Sequence, residues 1–91
     1  MIIDLMRRNA ERLKGHRVFL FGSRATGSAR PHSDFDIGVM GDAPLPLPVF
    51  FDIQDQLEAL PTLYRIDWVD FNKAPERLKE QALKQIEVLY E

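Results

Sequence analysis

The sequence predicts a small α/β (α+β) fold, a mixed sheet of three strands or slightly more flanked by helices. Three observations carry that expectation. Two short runs, Arg17 to Phe21 and Leu63 to Phe71, are rich in aromatic, β-branched and other apolar residues and read as strands. A third, Asp34 to Met40, sets Phe35, Ile37 and Val39 on one face and Asp34, Asp36 and Gly38 on the other, the period of two that a half-buried strand requires. Between and around them, apolar residues recur at helical spacing.

Taken in order, Ile2, Leu5, Met6, Ala10 and Leu13 form an apolar stripe through residues 2 to 14, with Arg7, Arg8, Glu11 and Arg12 between them, and Gly15 ends that helix. The first strand follows and closes at Gly22. Residues 23 to 33, dense in Ser, Gly, Arg and Pro, read as a loop. After the second strand, Gly41, Pro44, Pro46 and Pro48 break regular structure, and Phe50, Phe51, Ile53, Leu57 and Leu60 mark a helix from about 49 to 60 that Pro61 stops. The third strand follows. Pro75 then opens a last helix carrying Leu78, Ala82, Leu83, Ile86 and Leu89. Trp68, Tyr64, Phe50 and Phe51 are read as core, and Lys73, Arg77, Lys79 and Lys84 as the solvated face of the last helix.

Composition bounds the function. At 91 residues, the chain holds one domain, 1–91, which grips one substrate and relies on another chain for the second. A hydrophobic share of 45% against 29% charged residues is that of a folded protein rather than a disordered one. A net charge of −2 argues against direct nucleic-acid binding through bulk positive charge. The lack of cysteine removes disulfides, thiolate metal sites and cysteine nucleophiles. With no apolar run near the roughly 20 residues that cross a bilayer, and no signal-peptide core, a cytoplasmic protein without membrane attachment is expected.

The chemistry concentrates in Gly22-Ser23-Arg24 and, after the ten residues from Arg24 to Ser33, in Asp34-Phe35-Asp36. A glycine at a strand end lets main-chain N–H groups approach phosphate oxygens, and Ser23 adds a hydroxyl donor. Arg24 and Arg30 are candidates for phosphate contact, Ser33 for holding the loop or nucleotide, and His32 for an exposed loop position. Asp34 and Asp36, two apart on a strand, project from one face and repel unless a cation lies between them. Mg²⁺ is the fitting ion, because it takes one or two carboxylates together with substrate phosphates. In two-metal nucleotidyl transfer a third carboxylate is wanted for the second ion. Asp67 and Asp70, three apart, fall on opposite faces, so one of them can join. Asp67 is the better candidate, lying mid-strand among Ile66, Trp68 and Val69, with an ion pair to Arg65 as its ordinary alternative. Asp70 is expected to cap or to face solvent.

Gly-Ser, ten residues, Asp-x-Asp and the later strand Ile66-Asp67-Trp68-Val69-Asp70 resemble the nucleotidyltransferase superfamily that includes DNA polymerase beta. In size the chain is similar to its minimal nucleotidyltransferase (MNT, MntA-like) branch, commonly encoded beside a HEPN-domain partner. The resemblance covers nearly the whole chain. It implies a nucleoside triphosphate, ATP foremost, bound with two Mg²⁺ ions at Ser23, Asp34, Asp36 and Asp67, beside the nucleotide-binding candidates Gly22, Arg24 and Ser33 read from the residues themselves. It implies AMP transfer to a hydroxyl, a tyrosine of a HEPN toxin in that branch, within a toxin–antitoxin pair and a homo- or hetero-oligomer. Two alternatives stand beside it: a non-catalytic nucleotide-binding partner subunit, and an antibiotic-type nucleotidyltransferase acting on a small molecule.

Overall fold

The computed structural model describes residues 1–22, 34–62 and 64–91. Seven elements follow in order: α1 (Ile2–Arg8), β1 (His16–Phe21), β2 (Phe35–Gly41), α2 (Leu47–Glu58), β3 (Ile66–Asp70), α3 (Glu76–Ala82) and β4 (Glu87–Tyr90). The strands make one mixed sheet in the order β3-β2-β1-β4. β1 is antiparallel to both β2 and β4, while β2 and β3 run parallel, with α2 as the crossover between them.

Each face of the sheet has its own core. On the first, Val18, Ile37, Val39 and Trp68 meet Leu5, Met6 and Leu13 from the amino-terminal segment and Ile53 and Leu57 from α2. Trp68 stacks on Phe50, with ring centroids 5.6 Å apart, and its indole N–H donates to the Phe50 carbonyl at 3.1 Å. On the second face Phe19, Phe21 and Phe71 pack edge to face, backed by Met40, Val69, Ala82 and Ile86. That trio needs Gly38, because a Cβ there would stand 2.6 Å from the Phe19 ring and 2.8 Å from Phe71. The alternation expected of the second strand is present, with Phe35, Ile37 and Val39 on the first face.

The first helix is shorter than its apolar stripe, which runs to Leu13. Asn9 stops it: its side-chain amide takes the Leu5 carbonyl at 2.8 Å, so its main-chain N–H moves to Met6 O at 3.1 Å. Residues 9–14 continue as turns, and Gly15, at φ +80°, closes them as expected. Asn9 also reaches Gln56 on α2 at 2.8 Å, and Arg12 donates to Asp52, holding that carboxyl below its ordinary pKa. The Arg12–Asp52 pair is exposed and adds little stability.

The last helix differs more. It ends at Ala82, and Glu87–Tyr90 is a fourth strand that hydrogen-bonds the outer edge of β1. Leu78 and Leu83 are exposed rather than part of a buried stripe, while Ala82 and Ile86 pack against the second core. The reason is tertiary: without β4, β1 would leave a row of main-chain N–H and C=O groups unpaired. Phe51, 53% exposed, and Tyr64 also lie outside the core to which the sequence reading assigned them. Among the described residues no helix is long and apolar enough to cross a membrane.

Candidate active site

The site lies on the second face, where the aromatic trio ends. Parallel pairing of β2 with β3 sets Asp36 directly beside Asp67, and partners in register point to the same face. The two carboxyls are within hydrogen-bonding reach of each other. Burial first, then the charge of Asp67 and that of Asp34, raise the Asp36 carboxyl above its ordinary pKa. Two carboxylates held this close repel, the condition that a divalent cation relieves.

Gly22 completes this arrangement from the other side. It follows β1 at φ +73°, and a Cβ on it would lie 2.5 Å from Asp36 Oδ2. The glycine thus serves two needs, a left-handed turn and direct approach of the main chain to a carboxylate. Phe21 is the register partner of Asp36, so the acid has an aromatic ring at one flank and solvent at another.

Asp67 is also paired with Arg65, whose Nε stands 3.3 Å from Asp67 Oδ1. The ordinary ion pair and the place beside Asp36 are therefore both present. Among the described residues no three His, Cys, Asp or Glu side chains converge closely enough to hold a metal as they stand. Asp36 and Asp67 come together, and exposed Asp34 acts on Asp36 through its charge. The donor set nonetheless fits Mg²⁺, which needs only one or two protein carboxylates beside substrate phosphate oxygens. Ser23, Arg24, Arg30, His32 and Ser33 lie outside the described residues.

Asp70 faces the other way, as strand alternation requires, and it does not face solvent. It is 7% exposed and accepts from the main-chain N–H of Leu45 at 3.1 Å and of Asn72 at 3.0 Å. Asn72 in turn bonds both main-chain groups of Gly41, at 2.9 and 2.7 Å. Together they pin the connection from β2 to α2 against the end of β3. The sequence reading missed Asn72; Asp-x-Asn at a strand end is a turn signal that pointed to it.

The model of the polymerase beta nucleotidyltransferase family matches residues 2–91. Among curated proteins none matches the chain. Solved structures do. A chain of a toxin–antitoxin complex with AMP-PNP is 31% identical at a TM-score of 0.72, the match covering 98% of this chain and 69% of that one. A mutant MntA–HpeT toxin–antitoxin structure is 32% identical at a TM-score of 0.70, covering 98% and 68%. The tri-AMPylated HEPN toxin of Shewanella oneidensis in complex with MNT antitoxin gives 29% identity and a TM-score of 0.65, covering 98% and 66%. The acid pair beside a strand-end glycine, on a sheet of this order, thus sits in a chain that belongs to the polymerase beta nucleotidyltransferase family and is of its MNT type.

Proposed function

We propose that this chain transfers AMP from ATP to a hydroxyl on a partner protein, a tyrosine of a HEPN toxin, as the antitoxin of a toxin–antitoxin pair. The observation that carries the reading is the juxtaposition of Asp36 and Asp67 beside Gly22. The likeness to a complex with AMP-PNP supports the nucleotide, and the likeness to an MNT antitoxin with a tri-AMPylated HEPN toxin supports the acceptor.

In this reading the acceptor oxygen attacks the α-phosphorus, the α–β bridging bond breaks, and pyrophosphate leaves. Asp36 and Asp67, with Asp34 brought in alongside the triphosphate, would hold Mg²⁺, which would supply charge neutralisation for the triphosphate and a lowered pKa for the acceptor hydroxyl. Asp67 orients that hydroxyl and draws off its proton. Asp36 fixes the position of the triphosphate, with Gly22 leaving its flank open. Ser23, Arg24 and Ser33 bind phosphate oxygens. Positioning and charge do most of the work, as in phosphoryl transfer generally.

The test is transfer of label from α-³²P-ATP to a HEPN-domain protein encoded beside this chain, with Mg²⁺ or with excess chelator, for wild type and Asp36→Asn. Labelled tyrosine that requires both metal and Asp36 is the expected result. Label that persists in chelator or in the variant would remove this reading.

A further inference from the structure

β3 lies at the edge of the sheet, and its outer side is open. Arg65 O accepts from Phe35 N at 2.9 Å and Phe71 N donates to Val39 O at 2.8 Å, so residues 65, 67, 69 and 71 turn their main chain toward β2. Ile66 and Trp68 turn theirs outward. Among the described residues no hydrogen bond engages those outward N–H and C=O groups. The strand Ile66–Asp70 contains neither proline nor lysine, and its two charged residues, Asp67 and Asp70, turn to the two faces of the sheet rather than outward along the edge.

Two clefts line this edge and meet at Trp68. The first, about 410 Å³, opens onto Asp67 and is walled by Gln54, Glu58, Tyr64 and Arg65. The second, about 350 Å³, is apolar, with Leu47, Phe51 and Leu78 at its rim. These three apolar side chains are exposed by 53%, 53% and 40%. A trough with unpaired main-chain groups along its floor, side pockets for alternate residues and a reactive acid at one end fits an extended polypeptide.

We propose that this edge receives the acceptor as an added antiparallel strand, a polypeptide segment with a hydroxyl-bearing residue opposite Asp67. The inference rests on the transfer reading above and deepens it by naming how the acceptor is held. In such pairing the two residues flanking the hydroxyl residue bond Ile66 and Trp68, and the hydroxyl residue points its side chain to the face of Asp67 and Asp36. Because the trough runs onto Asp67, a segment lying there is within reach of the reaction. A second copy of the chain covering the edge would instead shield the acid from any acceptor.

The experiment uses ¹⁵N-labelled protein and the blocked peptide acetyl-Thr-Val-Tyr-Val-Thr-amide at millimolar concentration, with AMP-PNP binding followed in parallel. The expected result is a shift and slowed hydrogen exchange of the Ile66 and Trp68 amides, with label from α-³²P-ATP on the peptide tyrosine. N-methylation of both valines should abolish binding, and N-methylation of the tyrosine should not. Phe51→Glu and Leu78→Glu should each weaken the peptide about tenfold and leave AMP-PNP affinity unchanged. Equal binding of the valine-methylated peptide, no peptide binding while AMP-PNP still binds, or protection of Ile66 and Trp68 that grows with protein concentration without peptide would each overturn strand addition. Failure of AMP-PNP to bind at all would instead strike the transfer reading on which it rests.

Discussion

Gly22→Ala tests the site's geometry with one methyl group. The new Cβ meets Asp36 Oδ2 at 2.5 Å, where ordinary contact begins at 3.4 Å, so the carboxylate or the turn must give way by most of an ångström. The residue also keeps φ at +73°, which costs a side-chain-bearing residue about 1–2 kcal/mol. At roughly 4–8 °C per kcal/mol for a domain of this size, the melting temperature should fall by roughly 4–16 °C. A misplacement near 1 Å at reacting groups costs on the order of 10²-fold in rate, so transfer by the folded variant should fall by about that factor. Differential scanning fluorimetry and single-turnover transfer, both at a temperature where the variant is folded, separate the two effects. Unchanged transfer would show that Asp36 does not need its observed position, and the reasoning from Gly22 to the acid would fail.

Asp36→Asn should abolish transfer and leave the metal-free fold intact. Because burial and the neighbouring acids raise the Asp36 pKa, the folded state holds its proton more tightly than the unfolded chain; metal-free stability should fall as pH rises from the ordinary carboxyl value through the raised one, and the asparagine variant should lose that part of the slope. Chemical denaturation across pH in chelator reads this directly, and an unchanged slope would contradict it. Asp67→Asn should lower transfer by orders of magnitude while AMP-PNP affinity falls less, whereas Asp70→Asn should keep transfer per folded molecule and lose about 1–3 kcal/mol of stability, because the amide can accept from only one of the two main-chain N–H groups that Asp70 now serves. The reverse pattern in paired kinetics and denaturation would reverse the face assignment of β3. Gly38→Ala should cost about 1–3 kcal/mol by forcing Phe19 and Phe71 apart; a melting curve like wild type would mean the aromatic trio yields freely.

Much of this architecture follows from local pattern. The period of two in Phe35 to Val39 placed the acids of β2, and the three-residue spacing of Asp67 and Asp70 separated the acid that lies beside Asp36 from the one that holds the main chain of Leu45. What stayed hidden depends on partners distant in sequence. Leu83, Ile86 and Leu89 keep helical spacing, yet the demand of β1 for a second hydrogen-bonded neighbour turns Glu87–Tyr90 into a strand. Asn9 looks like one more polar position of a helix until its amide competes for Leu5 O. Phe51 and Leu78 have the helical spacing of core residues, and only the position of β3 at the sheet edge leaves them exposed. The convergence of Asp36 with Asp67 also needed the parallel register, since thirty residues separate them and no spacing rule joins them.

The close approach of Phe19, Phe21 and Phe71 over Gly38 has an electrostatic consequence. On one side of Asp36 water can reorient around a charge; on the other a stack of aromatic rings cannot. Field lines from the acid pair are therefore poorly screened toward the sheet and are concentrated into the open half-space above it, where a cation and a triphosphate would lie. Polar substitution at Phe21 would admit water to that wall and weaken attraction for a divalent ion without touching either carboxylate. In the proposed reading the second core would therefore act as an insulator as well as a packing unit.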